Sequence, residues 1–182
     1  MFMYFALVGM PGAGKTYAGN FLEREHGFTQ FNGGDYLQEL AAKNDQRLNT
    51  RKDYLEFYLK QRELLGPTFI TEHSQALCQL HENVVDVGLR TPSDIDLVIA
   101  TGGVLIGIQA TFAHRFKRTA GSSYKYPASI SGFKINDELE TNPPYDINYG
   151  LEKAPHTIYN NNHISCLETQ LSKIVMKHSA GK

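Results

Sequence analysis

The sequence has no excess of charge of either sign, few cysteines and no hydrophobic run long enough to cross a membrane. Its 18 basic and 19 acidic side chains give a net charge of −1, so no overall field draws nucleic acid or an anionic membrane to it. The apolar run 1–8 is shorter than the roughly 20 residues of a spanning helix and lacks the basic start of a signal peptide. We therefore expect a cytoplasmic protein without nucleic-acid or membrane partners.

The two cysteines, Cys78 and Cys166, fit neither the spacing of a zinc site nor that of a disulfide framework. We predict two reduced, partly buried thiols, as is usual in the cytoplasm. The seven histidines also lack the spacing of metal ligands. A chain of 182 residues has the length of one domain, and we expect 1–182 to fold as a single unit, as a monomer or a homodimer.

Short apolar runs alternate with longer segments of helical periodicity, which is typical of an α/β fold with a mostly parallel sheet. The predicted strands are 3–8, 28–32, 83–87, 104–108 and 157–160. The predicted helices are 15–26, 91–101 with Thr91 as its N-cap, 111–118, two stretches flanking 142–144, and 165–178. Segment 35–80 is helical with breaks at 44–49 and 66–67, and its apolar spacing predicts a core stripe of Tyr54, Phe57, Tyr58 and Leu65.

The segment Gly9-Met10-Pro11-Gly12-Ala13-Gly14-Lys15-Thr16 satisfies G-x-x-x-x-G-K-[ST] in full, between an apolar strand and a helix. Its glycines allow successive backbone N–H groups to converge on phosphate oxygens, and the following helix adds a positive N-terminus. Lys15 supplies a charge to the outer phosphates and Thr16 a hydroxyl to Mg²⁺. We predict that ATP and Mg²⁺ bind here, in contact with Gly9, Pro11, Gly12, Ala13, Gly14, Lys15 and Thr16.

Further motifs follow in a characteristic order: Gly34-Asp35, Asp86-Val87-Gly88-Leu89-Arg90, 102–106, Arg115-Phe116-Lys117-Arg118 and 158–161. With the phosphate loop they resemble the P-loop kinases of the adenylate kinase, deoxynucleoside monophosphate kinase and dephospho-coenzyme A kinase group, over nearly the whole chain. The resemblance implies a three-layer α/β/α fold with a five-stranded parallel sheet ordered 2-3-1-4-5. It also implies acceptor-binding helices in 35–80 and a lid in 119–136, which contains the segment 120–133 that we predict to be a mobile loop.

Two carboxylates match positions that carry chemistry in that group. Asp35 would face the phosphoryl acceptor, as a hydrogen-bond partner or as a base; it is equally placed to cap the helix that follows it. Asp86 ends an apolar strand, where a carboxylate would bind Mg²⁺ directly or through water. Some relatives carry that acid one residue later, at the place of Val87, and a shift of one residue along a strand reverses the face.

Three arginines and one asparagine complete the expected site. Arg90 would contact the acceptor, with Arg62 as a weaker candidate that could instead pair with a nearby glutamate. Arg115 would act from the lid on the transferring phosphoryl group, although the loop after it holds only one basic residue, Lys125. The segment with Asn160 would pack near the adenine ring.

These residues support three hypotheses. The leading one is phosphoryl transfer from ATP to a nucleoside or deoxynucleoside monophosphate, catalysed by Lys15, Arg115 and Asp35 through placement and charge. The second changes the acceptor to a hydroxyl of a nucleotide-like molecule, with Asp35 as base. The third is a nucleotide-binding regulatory protein with weak ATPase activity, which the sparsely charged lid favours.

Overall fold

A computed structural model describes residues 3–122 and 127–179 and shows one five-stranded, fully parallel sheet. The strands are β1 (Met3–Val8), β2 (Thr29–Phe31), β3 (Asn83–Asp86), β4 (Val104–Gln109) and β5 (His156–Tyr159). Their order is β2-β3-β1-β4-β5, which confirms the predicted sheet. β1 lies at the centre, and Phe5 is in register with Val85 of β3 and Val104 of β4.

Helices cover both faces of the sheet. Those of the described residues are α1 (Lys15–His26), α2 (Gly33–Ala42), α3 (Arg51–Leu65), α4 (Phe69–Ala76), α5 (Pro92–Ala100), α6 (Phe112–Thr119), α7 (Ile130–Thr141), α8 (Ile147–Lys153) and α9 (Ile164–Ser179), with a 3-10 turn at Leu77–Gln79. α1 and α9 pack on the face that carries Phe5 and Leu7. α5 and α8 pack on the opposite face, which carries Tyr4 and Ala6. The three-layer α/β/α prediction is confirmed.

A third apolar cluster lies among α2, α3 and α4, away from the sheet. Its buried members are Leu37, Ala41, Leu48, Phe57, Tyr58 and Phe69, and Tyr54 and Tyr145 pack against it. Three residues of the predicted core stripe are therefore in place. The fourth is wrong: Leu65 is 50% exposed, because it ends α3 where the chain turns at Gly66.

The first residues of α5 and α2 show which of the predicted helix caps are present. Thr91 accepts a hydrogen bond from the Asp94 N–H and caps α5, with Pro92 as the first helical residue, as predicted. The alternative placing of Asp35 as a cap is wrong, because the cap of α2 is Asn32, three residues earlier, which accepts the N–H of Gly34.

The predicted loop 120–133 is too long at its C-terminal end. Ser129 accepts a hydrogen bond from the Gly132 N–H, and α7 starts at Ile130. Residues 123–126 of that segment, including Lys125, lie outside the described residues. None of the helices in the described ranges combines the length and apolar character that a membrane span requires.

Candidate functional site

The phosphate loop joins β1 to α1 and is held open by its glycines and by Asn160. Gly12 has φ 79° and Gly14 has φ 113°, values that side chains with a Cβ rarely adopt. A Cβ on Gly14 would lie 2.5 Å from Asn160 Nδ2. That amide is buried and donates to the Ala13 carbonyl at 2.8 Å. Asn160, expected near the adenine, therefore also fixes the shape of the loop.

Lys15 folds back over this loop. Its Nζ donates to the carbonyls of Gly9, at 2.5 Å, and Met10, at 3.3 Å. Burial lowers the pKa of Lys15 to about 8, and the nearby charge of Arg90 acts in the same direction. The Thr16 side chain, one residue further into α1, is exposed. The loop therefore offers the converging backbone, ammonium and hydroxyl that a Mg²⁺-bound triphosphate requires.

Arg115 lies beside the loop with its donors engaged. Nη1 donates to the Pro11 carbonyl at 3.1 Å, and Nε donates to the Ala110 carbonyl at 3.2 Å. Nη1 and Nη2 form a two-pronged ion pair with Asp137 of α7 at 2.8 and 2.5 Å. The guanidinium also lies over the rings of Phe112 and Phe133, with Cζ 5.7 and 5.6 Å from the ring centroids. In this arrangement Arg115 supports the loop and binds α7.

Asp86 ends β3 on the sheet face that also carries Tyr4. It is 1% exposed and accepts hydrogen bonds from Gly88 N (2.7 Å), Ser74 Oγ (3.0 Å) and the Tyr4 hydroxyl (3.3 Å). Burial raises the pKa of Asp86 to about 6, against the opposing effect of the Gly88 and Ser74 hydrogen bonds. Three protein donors therefore already contact the predicted metal ligand.

A cavity next to Asp86 lies between α2, α3, α4 and the segment that joins α7 to α8. Its wall is largely apolar and aromatic, with Leu37, Tyr54, Leu55, Tyr58, Ile70 and Tyr145, and its polar lining includes Arg51, Asp86, Arg90, Thr91 and Asp94. Such a shape, apolar with a few convergent polar groups, is typical of small-molecule sites.

Two arginines at this cavity share one buried carboxylate. Glu140 Oε1 accepts from Arg51 Nη1 at 2.8 Å and from Arg90 Nη1 at 3.2 Å. Burial alone would raise the pKa of Glu140, but Arg90 and Arg51 hold this pKa below its ordinary value. One carboxylate balances one of the two positive charges, so this side of the cavity stays cationic and suits an anionic group.

The sequence-predicted residues fall into two groups. Lys15, Arg115 and Asn160 surround the phosphate loop, and Asp86 and Arg90 line the cavity. By contrast, Asp35 is exposed on the first turn of α2 and Arg62 is half-buried on α3, and neither lines the cavity.

Sequence reasoning missed Arg51, Glu140 and the aromatic wall of Tyr58 and Tyr145. The only local signal at Arg51 is the capping box of Thr50 and Asp53, which marks the start of α3 and says nothing about a ligand.

Comparison with known proteins supports the architecture. Residues 8–86 match a family model described as an AAA domain, and no curated protein matches the chain by sequence. A shikimate kinase from Acinetobacter baumannii, in complex with shikimate, superposes with a TM-score of 0.71 and 15% identity, covering 100% of this chain and 96% of that one. The shikimate kinase of Aquifex aeolicus gives 0.63 and 14%, covering 99% and 100%.

A sugar kinase from Janibacter sp. gives a TM-score of 0.55 at 14% identity, covering 97% of this chain and 94% of that one. At such identities these likenesses show the fold alone. The chain has the P-loop kinase fold that the sequence motifs predicted.

Proposed function

We propose that this protein transfers the terminal phosphoryl group of ATP to a nucleoside monophosphate bound in the cavity beside Asp86. One observation carries the proposal: the cavity, with its aromatic wall and its two arginines, lies close to the phosphate loop. Arg90, Glu140 and Arg51 are near enough to the Lys15 ammonium for their charges to affect it. This proximity supports a site in which Lys15 and the cavity arginines contact the same phosphoryl group.

On the donor side, the loop N–H groups would hold the ATP phosphates, and Lys15 would move from the Gly9 and Met10 carbonyls to the outer phosphates. Thr16 would bind Mg²⁺ through its hydroxyl. Asp86 would act on the ion through water, because its oxygens already accept three hydrogen bonds. The ion, when bound, neutralises charge that develops on the phosphate oxygens.

On the acceptor side, Arg51 and Arg90 would bind the monophosphate, since planar guanidinium groups match phosphate oxygens. The Arg51 Nε is a buried donor without a hydrogen-bond partner among the described residues. This donor is available to an oxygen of the bound monophosphate. The rings of Tyr54, Tyr58 and Tyr145 would pack against the base. A phosphate acceptor is already ionised, so this reaction needs no general base.

A hydroxyl acceptor is the second candidate. It is favoured by the structurally similar kinase in complex with shikimate and by the exposed carboxylate of Asp35 on the first turn of α2. In that reaction Asp35 would accept the hydroxyl proton, and the arginines would bind another anionic group of the acceptor.

The test is a transfer assay with ATP, Mg²⁺ and a panel of nucleoside and deoxynucleoside monophosphates, with shikimate and dephospho-coenzyme A as hydroxyl acceptors. We expect at least one monophosphate to be phosphorylated, and Lys15→Ala to lower the rate by about 10²–10³. Lys173→Ala, an exposed lysine on α9, is the matched control and should leave the rate unchanged.

Asp35→Asn separates the two acceptors. With a monophosphate in the cavity, which Asp35 does not line, kcat and the acceptor KM should change little, whereas with a hydroxyl acceptor kcat should be abolished. Slow ATP hydrolysis with every acceptor would contradict both kinase proposals and favour a regulatory nucleotide-binding protein.

A further inference from the structure

Two of the carboxylates on helix α7, Asp137 and Glu140, lie three residues apart. Residues at this spacing lie next to each other on a helix surface. Each carboxylate binds arginine from a different part of the molecule: Asp137 binds Arg115 of α6, and Glu140 binds Arg51 and Arg90. One short helix therefore contacts both halves of the candidate site.

The donor-side contact reaches the phosphate loop itself. Arg115 uses the same nitrogen, Nη1, to donate to the Pro11 carbonyl and to Asp137 Oδ1. Its side chain is 6% exposed and that of Asp137 is 16% exposed, so water competes little for this ion pair. A change in the path of the loop at Pro11 is therefore transmitted to α7.

Such a change is expected when nucleotide binds. Lys15 Nζ now bonds the carbonyls of Gly9 and Met10, the two residues before Pro11. An incoming triphosphate competes for that ammonium, and the carbonyls lose their partner. The segment held by Arg115 is thus next to the segment that must rearrange.

The acceptor-side contact sets the position of both arginines. Glu140 is 1% exposed, and the same oxygen, Oε1, accepts both Arg51 Nη1 and Arg90 Nη1. Because this oxygen is bonded to both guanidinium groups, a shift of α7 moves Arg51 and Arg90 together.

We propose that α7 couples the two substrate sites, so that ATP at the phosphate loop strengthens acceptor binding through Asp137 and Glu140. The inference rests on the proposed function for the identity of the ligands. Asp137 and Glu140 are positioning residues that act through the arginines. Thermodynamic linkage makes the effect reciprocal: a bound acceptor strengthens ATP binding by the same factor.

Hydrogen exchange with the non-hydrolysable analogue AMP-PNP and Mg²⁺ tests the coupling without any acceptor. In the wild type we expect the analogue to slow exchange about fivefold or more in α7 and around Arg51 and Arg90, as well as in the loop. In Asp137→Asn and Glu140→Gln the slowing around the two arginines should be lost, while slowing in the loop remains. Glu138→Gln removes an exposed carboxylate from the same helix and should behave as the wild type.

The wild-type measurement alone can overturn the proposal, because an analogue that binds without affecting the segments of Arg51 and Arg90 shows no coupling. The proposal would also be overturned if the analogue still slowed exchange around Arg51 and Arg90 in Asp137→Asn. If Glu140→Gln does not fold, the wild type and Asp137→Asn still decide.

Kinetics give a second readout once an acceptor is known. For the wild type, saturating ATP should lower the acceptor KM about fivefold, and Asp137→Asn should lose that effect with kcat changed less than about threefold. A variant that merely loosens the fold would lower stability without removing the dependence of one KM on the other substrate. Failure of the kinase proposal itself is distinguishable, because no acceptor would be phosphorylated while the exchange experiment still reports the coupling.

Discussion

At the scale of single residues, Asp86 combines complete burial with three hydrogen-bond donors. The donors favour its ionised form, but burial dominates and raises its pKa from 3.8 to about 6. The native state therefore retains this proton at a pH where the unfolded chain has lost it. As a result the carboxylate weakens the fold above its folded pKa, although it occupies a position expected to serve a metal ion.

Asp86→Asn should remove a pH dependence of stability. Because the folded pKa is raised, the unfolding free energy of the wild type falls as the pH rises from about 4 to about 6, by about 2–3 kcal/mol. The amide keeps an oxygen for the Gly88 N–H, and the Ser74 and Tyr4 hydroxyls can turn to accept from its nitrogen.

Urea denaturation of both proteins between about pH 4 and 7 measures the effect. The unfolding free energy of the variant should increase relative to that of the wild type as the pH rises. Asp45→Asn, at an exposed position, provides the control. Curves for the wild type and Asp86→Asn that stay parallel would refute the prediction.

At the scale of elements, the helix starts show how far local sequence determines local structure. Thr91-Pro92 identifies the start of α5 because a hydroxyl cap and a first-turn proline each satisfy a specific backbone requirement. At α2, two polar residues compete. Asp35 has the right chemistry, but Asn32 comes earlier, and the glycines after it can enter the helix.

Thr91→Ala should destabilise the protein by about 2–4 kcal/mol, from the lost cap and the lost bond to a buried carboxylate. The Thr91 hydroxyl accepts from Asp94 N and also donates to Asp94 Oδ2, at 2.5 Å. Urea denaturation measures the loss. Thr91→Ser keeps the hydroxyl and should cost less than about 1 kcal/mol, and equal losses in the two variants would contradict this explanation.

The sheet and the phosphate loop could be predicted from sequence because each rests on local patterns: apolar runs, glycine spacing and alternation. The cavity could not, because its residues come together only in the tertiary structure. Arg51 and Glu140 are 89 positions apart, and neither has a neighbour in sequence that indicates the other. The start of α7 was missed for a related reason. The helix is held by Phe133 packing on α6 and by the Arg115–Asp137 pair, and its own periodicity is weak.

At the scale of the whole molecule, charge balance limits the choice of partners. With a net charge of −1, the protein has no overall attraction for the phosphate backbone, whose contacts provide nearly all non-specific affinity. The cationic side of the cavity is local and partly neutralised by Glu140.

We therefore expect single-stranded DNA to bind more weakly than about 100 µM at physiological salt. Fluorescence anisotropy with a labelled oligonucleotide measures this, at two salt concentrations to expose any electrostatic contribution. Low-micromolar binding that weakens steeply with salt would contradict the prediction and reveal a basic surface.

The central position of β1 has a consequence for the order in which the chain acquires structure. β1 precedes both of its partners in the chain, which are Asn83–Asp86 and Val104–Gln109. During synthesis this apolar strand has no neighbour until β3 emerges, and a neighbour on only one side until β4 emerges. The nascent chain therefore carries an incompletely paired hydrophobic strand until β4 is made, a state prone to wrong association. A fragment that ends after β3 would still lack one side of its own central strand.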